Sequence, residues 1–427
     1  MEKNTKKIIA NASWMLFDKV FLLILNLLVT VQVVNYYGAL DYGTYQYAVS
    51  VVAIFEVFVT LIDGRVIKKR YLNEKPEELV WNVTVSRLLF SSMAMVLGAL
   101  FLYFGEEDSK FAVLFVILLV NVILSNLRFG MQNRYEFLLK SKKIVLASNI
   151  ALIIGGVLQL IAVELQLPIV AIAVIIAFSS MISLTIVCIQ YRREFGSLIS
   201  GRIRPTLLKE LARESLPLAV AASCSIIYQK CDSVMVGSML SKADLGVYAI
   251  AVKLISITQI ASGPICESVF PKMIDLYNTN REMYARKYVQ VTAVLTWTYV
   301  LIVLVAFMIL PYAFKILKPE YATAFPIYQV YVIGSFFMYN AGLRAGHYTL
   351  INRGSILMNS QIFTVVFNII LNIVFIKNFG VYGAALATAL TQGATLFFSN
   401  LAFGKDGREV FMWQLKGINP VYIFNRV

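Results

Sequence analysis

The sequence has few charged residues: of 427 residues, 15% are Asp, Glu, Lys or Arg, whereas 59% are hydrophobic. A soluble globular domain carries about 25% charged residues, so this composition excludes a soluble fold. The four cysteines all lie within apolar stretches, which excludes a secreted scaffold held by disulfides. The single histidine, His347, makes a metal site improbable on ligand count alone.

Motifs of ATP hydrolysis and of hydrolytic catalysis are also absent from the sequence. There is no glycine-rich lysine loop that would hold a phosphate, no paired Cys or His spacing, and no nucleophile elbow. We therefore predict no cofactor, no metal ion and no enzymatic activity. The net charge of +14 is spread between apolar segments instead of along one face, which argues against nucleic acid as a partner.

Apolar stretches that are long enough to cross a bilayer recur along the chain. A transmembrane helix needs roughly 20 mostly apolar residues. The sequence therefore predicts an all-α integral membrane protein, surrounded by membrane lipids, with about twelve transmembrane helices near 12–36, 43–63, 80–104, 110–128, 143–163, 168–190, 214–238, 244–270, 288–314, 323–349, 355–376 and 381–403. Within 244–270, Pro264 predicts a kink because it lacks a backbone N–H.

Basic residues alternate between connections that are rich in them and connections that are poor. The rich side carries roughly 28 Lys and Arg residues, and the poor side carries Lys110, Lys242, Lys315, Lys318 and Lys377. The positive-inside rule assigns the rich side to the cytoplasm. Both termini are therefore predicted to be cytoplasmic.

The connection around 196–213 divides the twelve spans into two sets of six. A short repeat supports this division, since the pattern G-x-Y-x-x-A-V begins at Gly43 and again at Gly246. Six helices separate the two copies, so the halves would share one orientation. The predicted parts are an N-terminal six-helix lobe, a cytoplasmic linker, a C-terminal six-helix lobe and a cytoplasmic tail, at 1–195, 196–213, 214–403 and 404–427.

Ionisable side chains lie inside several of the predicted spans. Near the bilayer centre a charge costs roughly 2.5 to 3.5 kcal/mol on insertion scales, so such residues are expected to face a bundle interior or a hydrated cleft. We predict that a cationic cavity for substrate is formed by Lys19, Arg87, Lys230, Lys253, Arg344 and His347. We predict that a coupling cation is bound or gated by Asp18, Glu56, Asp232 and Glu267.

Structural roles compete with these functional ones. Asp18 with Lys19, and Lys230 with Asp232, fit local pairs that fix helix packing equally well. Arg87 lies near a membrane end, where a long basic side chain reaches water at low cost, which favours a structural role there. For His347, a role in a proton relay is no better supported than a role in packing. Lys253 and Arg344 lie deeper in their predicted spans, which favours contact with a ligand.

Several blocks of the sequence resemble a known family in their order and spacing. They are YGALDYGTY at 37–45, YQKCDSVMVG at 228–237, LGVY at 245–248, NIILN at 368–372 and GVYGAALAT at 380–388. Together they resemble the polysaccharide flippases of the multidrug/oligosaccharidyl-lipid/polysaccharide exporter superfamily. The resemblance covers nearly the whole chain.

This resemblance implies two six-helix lobes that alternate between inward-facing and outward-facing states. It implies transport of an oligosaccharide on a polyprenyl pyrophosphate, of the undecaprenyl type, from the cytoplasmic to the outer leaflet of a bacterial cytoplasmic membrane. Lipopolysaccharide or capsule synthesis would be the setting. H⁺ or Na⁺ would be the coupling ion, and a polysaccharide polymerase and glycosyltransferases of the same pathway would be partners.

Two other functions stay open. The first is a cation-coupled multidrug exporter of the same superfamily, against which the basic balance inside the helices argues. The second is a membrane polysaccharide polymerase or ligase, which would be expected to carry a large external loop. The external connections here are short.

Overall fold

The computed structural model of the protein describes residues 2–105, 108–197 and 202–424, with side chains from residue 22 onward. Within these ranges the chain is helical and contains no strand, so the all-α prediction is confirmed. The first seven α-helices are α1 Glu2–Val59, α2 Gly64–Arg70, α3 Pro76–Phe104, α4 Ser109–Leu127, α5 Phe129–Phe137, α6 Lys142–Glu164 and α7 Ile169–Phe195. The next eight are α8 Pro205–Met239, α9 Lys242–Thr258, α10 Ser262–Thr279, α11 Arg281–Ala313, α12 Ala324–Met338, α13 Ala341–Leu350, α14 Gly354–Gln392 and α15 Gly404–Lys416.

Eight helical stretches of the described chain are long and apolar enough to cross a membrane: Leu22–Arg70, Pro76–Phe104, Ser109–Phe137, Lys142–Glu164, Ile169–Phe195, Lys242–Thr279, Arg281–Ala313 and Gly354–Ala402. The first and last contain 49 residues each. That is roughly 73 Å of helix at 1.5 Å per residue, against a hydrocarbon core of about 30 Å, so each is long enough for two crossings. The remaining predicted spans lie on α8 and on α12 with α13. The chain is a multi-pass membrane protein.

Both of the 49-residue stretches bend at a glycine. Gly38 has φ 75° and ψ 177°, and Gly380 has φ 59° and ψ −138°. Side chains with a Cβ rarely adopt these positive φ values, which explains why glycine stands at both bends. The bends fall at the predicted junctions between the first and second spans and between the last two spans.

Two further spans are each built from a pair of helices. α9 ends at Thr258 and α10 begins at Ser262, so the interruption falls just before Pro264. Because proline has no N–H to donate to the carbonyl of Ile260, the interruption has the cause that the sequence predicted. α12 and α13 form the second such pair, and residues 339–340 separate them.

The chain packs into two compact units, Met1–Ser223 and Cys224–Val427. In the first unit, Leu207 and Leu211 at the start of α8 are buried in an apolar core that includes Tyr135. Arg70 pairs with Glu210 at 2.9 Å in the same region. The described residues of the predicted linker 196–213 are therefore part of the first unit, and α8 continues from there into the second.

Connections of the first unit gather at separate ends according to their predicted side. Asp41 Oδ1 lies 2.5 Å from Lys110 Nζ, and the Tyr37 hydroxyl donates to the carbonyl of Leu167 at 2.8 Å, which joins the three basic-poor connections. Ion pairs join the basic-rich connections: Lys68–Glu136, Arg134–Glu77, Arg204–Glu74, and Glu194 with Lys140 and Lys143. The alternation of the spans agrees with the charge pattern, whereas the cytoplasmic assignment stays a prediction.

The described part of the predicted tail is folded against the second unit. α15 is followed by a 3₁₀ turn at Pro420–Ile423. Trp297 Nε1 on α11 donates to the carbonyl of Ile418 at 3.1 Å. An added Cβ at Gly417 would lie 2.3 Å from Thr292 Cγ2, so this close contact with α11 requires glycine.

Candidate functional site

Asp232 on α8 is a buried carboxylate that is surrounded by neutral hydrogen-bond donors. The residue is 5% exposed. Asn372 Nδ2 donates to its Oδ1 at 2.8 Å, the Tyr248 hydroxyl donates to Oδ2 at 3.2 Å, and the Thr388 hydroxyl also donates to Oδ2. Among the described residues no ion pair includes Asp232. A buried carboxylate without a counter-charge is costly, so this site is suited to a proton or a bound cation.

The two arms of α14, before and after the bend at Gly380, supply two of these donors. Asn372 lies on the first arm and Thr388 on the second. An added Cβ at Gly383 would lie 1.9 Å from the carbonyl oxygen of Phe375, so the arms approach each other more closely there than any other residue would allow. The bend and this close contact place the second-arm donor beside Asp232.

Buried polar side chains continue from Asp232 along both arms of α14 and along the helical turns Gly393–Phe397 and Phe398–Ala402, which extend the second arm. On the first arm they recur at every fourth residue, and on the second at intervals of one to five residues. We call this set the polar seam: Ser360, Thr364, Asn368, Asn372, Thr388, Thr391, Gln392, Thr395 and Asn400, each at most 7% exposed. Hydrogen bonds cross between the arms, from Asn368 Nδ2 to Thr391 Oγ1 at 3.5 Å and from Ser360 Oγ to the carbonyl of Thr395 at 3.4 Å.

Arg344 on α13 lies at the other end of the polar seam and is 3% exposed. Its Nε donates to Asn400 Oδ1 at 2.9 Å, and its Nη2 donates to Ser360 Oγ at 3.3 Å. No carboxylate pairs with this arginine within the described ranges. Two buried charges of opposite sign therefore stand at the two ends of one seam, and each is solvated by neutral groups.

Lys230 and Lys253 do not appear among the described partners of Asp232. Residues two apart on a helix face different directions, so Lys230 and Asp232 do not form the local pair that the sequence left open. Both lysines are half-buried, on α8 and α9. Glu56 is half-buried on α1 in the first unit, and Glu267 is exposed on α10 in the second.

Arg87 is held at the end of a helix in the first unit. It is 1% exposed, and its Nη2 donates to the carbonyl of Ile62 at 2.8 Å while its Nη1 donates to that of Val59. Its guanidinium also lies 4.0 Å from the ring centre of Phe129. The role of Arg87 is therefore structural, but the expected contact with water is wrong, because the side chain is buried. Arg87 instead satisfies the carbonyl of Val59, which has no partner within α1, and the carbonyl of Ile62 just beyond the helix.

His347 is packed among aromatic rings. Its Nδ1 lies 2.8 Å from the hydroxyl of Tyr284, and Trp413 lies 5.3 Å away between ring centres. This is the arrangement of a satisfied packing histidine. The side chains of Asp18 and Lys19 lie outside the described residues.

The neutral members of the polar seam were missed by reasoning from the sequence, which considered charged residues first. A signal was present, because Ser360, Thr364, Asn368 and Asn372 are spaced by four in an otherwise apolar helix. Four-residue spacing places side chains on one face. What the spacing does not show is which of the other helices that face contacts.

Comparisons with known proteins place these features in a family. Residues 8–277, more than half of the chain, match the family described as polysaccharide biosynthesis protein. The probable low-salt glycan biosynthesis flippase Agl15 of Haloferax volcanii is 24% identical over 168 residues, which are 38% of this chain and 35% of that protein. The match thus spans about a third of the relative's length.

The fold is shared with solved transporters at low sequence identity. An inward-facing multidrug resistance MATE family transporter of the MOP superfamily superposes with a TM-score of 0.70 at 13% identity, covering 95% of this chain and 96% of that one. The lipid II flippase MurJ in an inward closed conformation gives a TM-score of 0.68 at 14% identity, covering 96% and 92%. These likenesses show the fold, and the sequence match shows the family. The chain belongs to the polysaccharide biosynthesis protein family.

Proposed function

We propose that the protein moves a polyprenyl-pyrophosphate-linked oligosaccharide from the cytoplasmic to the outer leaflet of a bacterial cytoplasmic membrane by alternating access. Family membership supports a glycan-linked substrate. The observation that carries the transport mechanism is the Asp232 site, because a carboxylate inside a membrane helix bundle with ordered neutral donors is expected to bind a proton or cation in one step of a cycle. Glycosyltransferases and a polymerase of the same pathway are the proposed partners.

The carboxylate of Asp232 and the hydroxyls of Tyr248 and Thr388 offer oxygen atoms, which suit a hard cation such as Na⁺. Asn372 Oδ1 is buried and has no hydrogen-bond partner within the described structure. A cation at this carboxylate would gain that amide oxygen in exchange for the hydrogen bond that Asn372 Nδ2 donates to Asp232, and the hydroxyl of Thr388 lies on the same carboxylate. Protonation of Asp232 is the alternative form of the same coupling, with H⁺ as the driving ion.

Basic side chains in the second unit supply the charge that a pyrophosphate needs. Lys230, Lys253 and Arg344 lie on α8, α9 and α13, and Arg344 has neutral oxygens as its described hydrogen-bond partners. Lysine and arginine both bind phosphate oxygens through charge-assisted hydrogen bonds. Lys19 is proposed as a further phosphate ligand because it is a basic residue in a predicted span. Glu56 and Glu267 are proposed as gating residues because they are acidic residues in predicted spans.

The test is a complementation assay in a strain that lacks its own flippase. Lys253→Gln combined with Arg344→Gln is expected to abolish surface glycan while the protein stays in the membrane at normal abundance. Lys272→Gln with Arg286→Gln removes the same two charge types from exposed positions and is expected to leave transport intact. Because Arg344 also holds the polar seam, Lys253→Gln alone is measured beside it. Full activity of both Lys253 variants would overturn the proposed role of these cations.

A cation-coupled multidrug exporter is the alternative within the same fold. It predicts that cells producing the protein survive higher concentrations of cationic dyes, and that deletion leaves surface glycan unchanged. A membrane polymerase or ligase is the weaker alternative, for which deletion would leave the lipid-linked precursor in the outer leaflet. Accumulation of that precursor in the cytoplasmic leaflet separates the proposed flippase from both.

A further inference from the structure

The second unit contains a polar cleft that shares no residue with the polar seam. Its volume is about 660 Å³. Three parts of the unit line it: the junction of α10 with α11, the end of α13, and one flank of α15. We call it the α15 cleft. Nothing in the transport proposal uses it.

Aromatic rings form the floor of the α15 cleft. Tyr284 is 2% exposed, and its hydroxyl contacts His347 Nδ1 at 2.8 Å. The Trp413 ring lies 6.0 Å from that of Tyr284, in an edge-to-face arrangement. Because these side chains hold one another in place, they lose little further freedom when a ligand binds on the floor.

Four charged side chains line the rim, and two of them compensate each other. Arg353 Nε lies 3.6 Å from Asp406 Oδ2. Arg281 lies over the ring of Tyr277 at 3.2 Å from its centre, and no ion pair includes it among the described residues. Glu409 likewise has no ion pair in that part of the chain. The cleft thus offers one cation and one anion that the described protein does not neutralise.

The position of Arg281 adds to its preference for an anion. It is the first residue of α11, a helix of 33 residues. The N-terminal end of a helix carries a partial positive charge and stabilises nearby anions. Phosphate is therefore favoured at this end of the cleft, and a cationic group is favoured at Glu409, with Trp413 one helical turn further along α15.

The depth of the cleft in the membrane follows from α15. Another flank of this helix and the turn after it expose apolar side chains: Met412 46%, Leu415 46%, Ile418 41% and Val421 62%. A helix with an exposed apolar face and charged residues elsewhere lies in the membrane interface. The α15 cleft therefore opens at the level of lipid headgroups.

We propose that the α15 cleft binds the headgroup of a membrane phospholipid that carries a phosphate and a primary ammonium, as in phosphatidylethanolamine. The phosphate contacts Arg281, and the ammonium contacts Glu409 over the aromatic floor. An anionic headgroup without an amine leaves Glu409 without a partner, and a neutral saccharide leaves both charges without one. The inference stands apart from the transport proposal, because it concerns a site outside the polar seam.

The test uses the purified full-length protein in detergent and measures lipid binding by native mass spectrometry. Dioleoyl phosphatidylethanolamine is expected to bind about tenfold more tightly than dioleoyl phosphatidylglycerol, since the ammonium adds one charge-assisted hydrogen bond. Equal binding of the two lipids would overturn the proposal. The proposal would also be overturned if a free disaccharide or free phosphoethanolamine bound to the protein as tightly as dioleoyl phosphatidylethanolamine.

Matched variants locate the site. Arg281→Gln with Glu409→Gln is expected to remove the preference between the two lipids. Glu282→Gln with Arg286→Gln neutralises one acid and one base on the exposed face of α11, where they pair at 2.6 Å, and is expected to keep the preference. The assignment is contradicted if the Arg281 and Glu409 variant still prefers phosphatidylethanolamine, or if the Glu282 and Arg286 variant no longer does. If the first variant does not fold, the comparison of lipids on the unmodified protein decides alone.

Discussion

Asn372 donates a hydrogen bond of 2.8 Å from Nδ2 to Oδ1 of Asp232, across 140 residues of chain. The same amide group also donates to Asn368 Oδ1 at 3.0 Å, one helical turn away. Asp232 is therefore held by the first arm of α14 as well as by its own helix. A change of charge at Asp232 acts directly on the packing of α8 against α14, which is what coupling between ion binding and conformation requires.

Replacement of Asp232 by Asn is expected to reduce transport by at least about tenfold without loss of folding. The amide keeps the size of the side chain but removes the charge that is proposed to bind a coupling ion. Removal of the desolvated charge and loss of one hydrogen-bond acceptor beside Tyr248 and Thr388 act in opposite directions, so the melting temperature in detergent should change little. Asp275→Asn, at an exposed pair with Lys272, is the control. Normal transport by Asp232→Asn would contradict the coupling role.

Replacement of Arg87 by Leu is expected to destabilise the first unit without changing transport by the molecules that fold. The carbonyls of Val59 and Ile62 would lose their donor, and each buried unsatisfied group costs about 1–3 kcal/mol. Melting temperature and membrane abundance should both fall. Transport is then normalised to abundance, with exposed Arg65→Gln as the control. A loss of normalised transport would restore Arg87 to the substrate site.

Replacement of Gly380 by Ala is expected to cost about 1–3 kcal/mol, the strain of a Cβ at φ 59° and ψ −138°. Steric contact does not add to this, since nothing lies within 4 Å of the added atom. Gly354→Ala is the matched control, because it has equal space and no positive φ. The measurement is the melting temperature of each variant. Equal values for the two would show that the bend at Gly380 is not strained by a side chain.

Replacement of Gly407 by Ala is expected to displace α15 from the second unit. The added Cβ would lie 2.1 Å from the carbonyl oxygen of Asn400 and 2.8 Å from Phe403 Cβ, too close for either to remain in place. Limited proteolysis should then cut the segment after residue 404 faster than in the unmodified protein. Lys405→Ala, exposed in the same helix, is the control. An unchanged cleavage rate would show that α15 does not depend on this close contact.

Much of the fold could be predicted from local properties of the chain. Span positions follow from runs of apolar residues, and the gathering of connections in the first unit follows from the alternation of basic residues. The interruption near Pro264 follows from a missing N–H. Each of these properties belongs to one segment, so no knowledge of its neighbours is needed.

The site was only partly predictable, and two residues show why. Arg87 and Asp232 are both charged residues in apolar helices, and the cost of burying a charge is the same argument for both. In the structure, Arg87 is bound by carbonyls at and just beyond the end of α1, whereas Asp232 is held by neutral side chains of α9 and of both arms of α14. Which neighbour compensates a charge depends on residues far apart in the sequence, and local pattern carries no information about them.

The many crossings of the membrane follow from the amino-acid sequence alone, because the transfer of each apolar segment into lipid depends on its own composition. The burial of some charged residues follows from it as well. The polar seam between Asp232 and Arg344 follows from the packing of the helices and not from the sequence pattern, since hydrogen bonds are short and directional and exist only where packing brings their partners together.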